Sequence, residues 1–215
     1  MRKTFDAELQ ELNYEMINMA AAAEDAIDTV TQSLSADEES SAREAMELTR
    51  SMDEMERDIE NRCFRLLLQQ QPVARDLRTV SAALKMVTDL QRIGDQCANI
   101  AELSLLWPGT TQKAQDLANI RAMSQKAAVM VKRSIFAYAN RDVEAAKAVI
   151  DLDDEVDELF QRVKRELVEL LVESREEADR AIDLIIIAKY LERIADHAVN
   201  IAQWGIYCVT GELVG

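Results

Sequence analysis

Apolar side chains recur along the chain in steps of three and four. The first run, Phe5, Leu9, Leu12, Met16, Met19, Ala23, Ala26, Val30 and Leu34, forms one stripe down a helix of about eight turns. The polar segment Ser35–Ser41 interrupts it, and a second helix then reaches about Gln70. Pro72 closes that helix, because proline disfavours helical geometry in the residue before it. A third periodic stretch extends from about Val73 to Leu106, and Trp107-Pro-Gly-Thr-Thr111 is the strongest turn signal in the sequence.

The second half repeats the plan. A gap-free shift of 101 residues superposes Leu90-Gln-Arg-Ile-Gly-Asp-Gln-Cys-Ala-Asn-Ile-Ala101 on Leu191-Glu-Arg-Ile-Ala-Asp-His-Ala-Val-Asn-Ile-Ala202, with seven of twelve positions identical. The same shift lays Asp53-Glu-Met-Glu56 on Asp154-Glu-Val-Asp157 and Ser33-Leu34 on Ser134-Ile135. One offset serving distant segments marks a duplicated unit. The pattern predicts an all-α protein, a tandem repeat of two three-helix bundles. Its six long helices fall near 4–35, 38–70, 73–106, 112–139, 141–172 and 175–210, and its units span 1–107 and 112–215. Short connections make each unit an up-down-up bundle. Each unit owns its stripes, so each half is expected to stay helical when separated.

Composition supports this reading. Two prolines and five glycines in 215 residues are too few for a β-protein, which needs many turns. Forty acidic against twenty-five basic residues give a net charge of −15. Such a surface repels phosphate backbones and anionic lipid heads, which argues against nucleic-acid binding and direct membrane insertion and favours a basic protein face or cations. The three cysteines, Cys63, Cys97 and Cys208, are dispersed and lie in no CxxC or Cys/His cluster. They read as small buried hydrophobes in a reducing compartment. Met1-Arg-Lys leads into an amphipathic helix, not an apolar signal segment, and a cytoplasmic location is expected.

Candidate chemistry is confined to acids. In each unit the second and third helices form a hairpin around a known turn, so Asp53 lies level with Arg92 and Asp154 with Arg193. These are expected to be interhelical bridges that fix register, worth at most about 1 kcal/mol if exposed. Asp153 and Asp157 are four apart on the fifth helix, as are Glu192 and Asp196 on the sixth. The hairpin register brings the four carboxylates together, where a hard cation (Mg, Mn, Fe or Zn) with oxygen ligands would relieve their repulsion. The alternative is a solvated acidic face. Equivalent positions in the first unit are Met52, Glu56, Gln91 and Asp95, so the weaker set there is Glu56 and Asp95. His197, the single histidine, reads as a partly exposed helix residue. No Glu-x-x-His, Gly-rich phosphate loop or Gly-x-Ser-x-Gly occurs, and no enzymatic activity is expected.

Gln71-Pro-Val-Ala-Arg-Asp-Leu-Arg78, Leu90-Gln-Arg-Ile-Gly-Asp95 with Asn99-Ile-Ala-Glu102, and Leu191-Glu-Arg-Ile-Ala-Asp196 with Asn200-Ile-Ala202 together resemble the PhoU family of phosphate-uptake regulators. The resemblance covers essentially the whole chain. It implies a cytoplasmic, commonly dimeric adaptor that reaches the inner face of the membrane through its partners, the phosphate ABC transporter ATPase and a sensor histidine kinase. Such an adaptor restrains uptake and holds the phosphate-starvation response off. Metal binding through Glu/Asp-x-x-x-Asp motifs is implied for some members, which carries over to Asp153, Asp157, Glu192 and Asp196, and more weakly to Glu56 and Asp95. The rival expectation is a metal-binding or metal-storing bundle without a signalling role.

Overall fold

The computed structural model describes residues 2–34, 39–70, 72, 74–106, 118–173 and 178–214. The Trp107–Thr111 turn, Gln71, Val73 and the start of the Ser35–Ser41 break lie outside the described residues. Among the described residues every regular element is helical: α1 (Arg2–Ser33), α2 (Glu39–Gln70), α3 (Arg75–Ser104), α4 (Ala118–Asn140), α5 (Val143–Asp151), α6 (Asp153–Glu173) and α7 (Ala178–Thr210). The tandem pair of three-helix bundles expected from the repeat is what forms, with α1–α3 in the first and α4 to α7 in the second.

The fifth predicted helix is interrupted. At Leu152 the ladder tightens, its N–H bonding the Val149 carbonyl at 3.2 Å while Glu155 N–H bonds the Leu152 carbonyl at 3.2 Å. The reason is local: Asp153, Asp154 and Glu155 form an acidic first turn of α6, where the positive end of a helix dipole favours them. The equivalent stretch of α2, around Ser51, continues unbroken. Ahead of the break, α5 is started by Asp142, whose carboxylate accepts from Ala145 N–H at 3.0 Å, after Arg141 turns the chain with φ 57°.

The stripe of α1 is buried as its spacing requires: Leu12, Met16, Met19, Ala23, Ala26 and Val30 are all inaccessible, and Leu9 packs against them. The three cysteines are buried and unpaired.

The two units share one continuous core. The chief contacts between them are α3 against α7 and α1 against α4. Both pairs are antiparallel. Thr79 meets Cys208 while Asp89 meets His197 and Asn200, and Glu24 meets Lys132 while Thr31 meets Ser124. With the 101-residue offset, that register relates the units by an approximate two-fold axis through the middle of α3 and α7, near Ile93 and Ile194, both fully buried. Across the α1–α4 contact, Lys132 Nζ donates to Glu24 Oε1 at 3.0 Å. Within the first unit, Arg62 on α2 forks onto Glu15 at 2.7 Å and reaches Glu8 at 2.7 Å, both on α1.

Candidate functional site: two acidic patches beside the unit interface

The four acids of the second unit are brought together by α6 and α7. Asp153 is half-buried at the start of α6, and Asp157 follows one turn on, exposed. Burial first, then the charges of Asp196, Asp157, Asp154 and Glu192, push the Asp153 carboxyl up to about 6. One of its oxygens, Oδ1, is buried without a hydrogen-bond partner. Burial and Glu192 raise Asp196 as well, opposed by the charge of Lys189. Sequence reasoning missed that lysine. It pairs with Glu192 and lies 5.5 Å above the ring of Phe160 on α6, so an intramolecular cation already offsets part of the repulsion.

In the first unit, Glu56 and Asp95 also stand above the usual carboxylate range. Burial is the larger cause in both, and neighbouring acids including Asp53 add to it. Gln91 mediates here: its Nε2 donates to Asp95 Oδ1 at 3.0 Å and to Asp53 Oδ1 at 3.3 Å.

The two expected arginine bridges do not form. Among the described residues, no ion pair within 4.0 Å joins Asp53 to Arg92 or Asp154 to Arg193. Arg92, Asp154 and Arg193 are exposed, Asp53 accepts from Gln91, and the Arg193 guanidinium lies 5.8 Å from the Tyr190 ring centre. Equal distance from a turn fixes level along the hairpin but not which way round each helix a side chain points.

His197 holds a place that spacing could not reveal. Its Nδ1 lies 2.9 Å from Asp89 Oδ1, the carboxylate accepting, and Asn200 Nδ2 donates to the same oxygen at 3.2 Å. Asp89 is 6 % exposed. A buried carboxylate with two donors from the other unit is a satisfied polar contact across the α3–α7 interface. When charged, His197 favours ionisation of both Asp95 and Asp196, so the two acidic patches are neighbours across that interface.

The oxygen-only donor set and the partnerless Asp153 Oδ1 suit a hard cation. Among the described residues, however, no three His, Cys, Asp or Glu side chains are already gathered for one.

The family model described as the PhoU domain matches this chain twice, over residues 16–104 and 120–205. The chain belongs to the PhoU family. A phosphate-specific transport system accessory protein PhoU homolog from Clostridium acetobutylicum is 35 % identical over 215 residues, covering 99 % of this chain and 97 % of that protein. A homolog of the same description from Aquifex aeolicus is 38 % identical over 207 residues, covering 96 % and 93 %. The crystal structure of PhoU from Pseudomonas aeruginosa superposes with a TM-score of 0.91 at 30 % identity, covering 97 % of this chain and all of that one. The long helices, the repeat and the acidic patches are thus features of a PhoU-family chain. None of its described helices is long and apolar enough to cross a membrane.

The raised carboxyls have a measurable consequence. A folded-state value of about 6 for Asp153, against 3.8 ordinarily, means that the folded protein holds this proton more tightly than the unfolded chain. Its stabilising effect is complete below about pH 4 and is lost as pH rises through 6. Asp28, Glu56, Asp95 and Asp196 shift in the same direction. Thermal stability should therefore rise when pH is lowered from 7 to 5. Asp153→Asn should stabilise at pH 7, on the order of 1 kcal/mol after allowance for solvent screening. Calorimetry at both pH values checks this. A melting temperature that falls at pH 5, with a destabilised variant, would contradict it.

Proposed function

We propose that this protein is a regulatory adaptor of phosphate homeostasis. It links a phosphate ABC transporter, through the transporter ATPase, to a sensor histidine kinase, and so restrains both uptake and the starvation response. It works by binding, without turning over a substrate, at the cytoplasmic side of the membrane, and as a homodimer. The observation that carries this reading is near full-length similarity to proteins named as phosphate-specific transport accessories, with the PhoU domain present in both halves. The architecture fits it. Helices of about thirty residues are roughly 45 Å long and offer extended docking faces, and the negative charge supplies long-range attraction to a basic partner surface.

Deleting the gene tests the proposal. Alkaline phosphatase and other starvation genes should switch on in phosphate-rich medium, and the purified protein should retain the transporter ATPase or the kinase's cytoplasmic region, less well at high salt. Continued repression together with no retained partner would refute the adaptor reading.

A second reading, metal binding, is favoured by the partnerless oxygen of Asp153 among four further acids. Asp153, Asp157, Glu192 and Asp196 would hold a hard cation once Lys189 leaves Glu192, with Glu56 and Asp95 weaker. The cation would supply the positive charge that Lys189 now provides. Adding Mg or Mn should then raise the melting temperature of the wild type and leave Asp153→Asn unmoved.

A further inference from the structure

Acids greatly outnumber bases here, and several basic side chains are drawn onto carboxylates, as Arg62 is onto Glu8 and Glu15. Three arginines without a carboxylate partner sit together. Among the described residues, Arg75, Arg78 and Arg141 form no ion pair within 4.0 Å. Arg75 and Arg78 open α3, and Arg141 is the turn residue between α4 and α5.

Their convergence is fixed by shared neighbours. Arg141 Nη2 donates to Thr79 Oγ1 at 3.5 Å, and Cys208 Sγ on α7 donates to the same hydroxyl oxygen at 3.3 Å. The Thr79 hydroxyl in turn donates to the Arg75 carbonyl at 3.1 Å, and the charges of both Arg75 and Arg78 favour the ionised form of the Cys208 thiol. The Arg78 guanidinium lies against Gly211, 3.6 Å from where a Cβ would be, and its Nε is buried with no acceptor. A donor in that condition costs stability unless something accepts from it. The nearby acids do not answer it: Asp142 is engaged in capping α5, and neither Asp76 nor Glu212 forms an ion pair with these arginines. The backbone adds further donors, since α3 begins after Ala74 with no side-chain cap, leaving first-turn N–H groups without a side-chain acceptor.

We propose that Arg75, Arg78 and Arg141 hold a small oxyanion of the phosphate class. Guanidinium forks match pairs of oxygens on one tetrahedral anion, and a helix N-terminus beside them favours the same charge. A monocarboxylate offers only one pair of oxygens to a guanidinium fork, whereas a tetrahedral oxyanion offers several. The free ion is favoured over a phosphorylated lipid because a surface carrying −15 is repelled by an anionic bilayer. The site spans α3 of the first unit and the α4–α5 turn of the second, so an occupied site ties the halves together.

Isothermal titration of the full chain with inorganic phosphate at low ionic strength tests this, and it does not depend on the adaptor reading, whose failure would be seen genetically. Saturable binding is expected, with sulfate competing. Arg75→Gln and Arg141→Gln should each weaken it about tenfold with unchanged circular dichroism, a loss typical of one charge-assisted pair. Arg75 is exposed, so that variant keeps its fold and remains informative if Arg141→Gln does not. The proposal is overturned if no binding appears up to about 10 mM, weaker than which an ion is scarcely held. Wild-type affinity in Arg75→Gln, or capture by phosphatidic acid vesicles that free phosphate does not release, overturns it equally.

Discussion

Expressed separately, residues 1–107 and 112–215 should both be helical, yet neither should behave as a folded monomer. The first half contains three packed helices and the second four, but α3 and α7 bury their apolar residues partly on each other, and α1 and α4 meet in the same way. Separation therefore exposes a long apolar face on each fragment, which favours self-association or a loosely packed state. Mixed in equal amounts, the halves should recover a 1:1 complex melting near the uncut chain. Sedimentation and calorimetry read this directly. Two monomeric halves with sharp unfolding transitions and no tendency to combine would show that the shared core contributes little.

Ile93→Ala and Ile194→Ala should each cost about 2–4 kcal/mol, from lost burial and the cavity left behind. At this chain length that is a fall of roughly 5–15 °C in melting temperature. Both side chains are fully buried and both sit at the approximate axis, so the two losses should agree closely. Arg92→Ala and Arg193→Ala, one residue earlier on the exposed side, should change stability by no more than about 0.5 kcal/mol. A large disparity between the isoleucines would mean that the halves do not meet symmetrically.

Most of the helical plan was legible because helices write their buried face into the sequence every three to four residues. The α1 stripe and the repeat offset suffice to place the elements. The break at Leu152 was not read, because amphipathic spacing continues through it and only the Asp153-Asp154-Glu155 triplet, itself a helix-start signal, marks it. The acidic patch was legible from i,i+4 spacing within a hairpin. Its counter-charge Lys189 was not, since a lysine three residues from a glutamate is commonplace on any helix. The Asp–Arg pairs failed for want of rotational information. Asp89 was invisible: its partners His197 and Asn200 are more than a hundred positions away, on a contact between units that local periodicity does not encode.

The approximate symmetry of α3 and α7 has a consequence for divergence. Two identical single-unit subunits meeting across a two-fold axis must present the same residues on both sides, so every change in the contact occurs twice and has to be tolerated twice. Joined in one chain, the copies are free of that constraint. Where the first unit has Asp89, the second has Tyr190, and opposite His197 in the repeat stands Gln96. The carboxylate–imidazole contact therefore exists once, on one side of the axis, and the molecule has acquired a direction that a symmetric pair would lack.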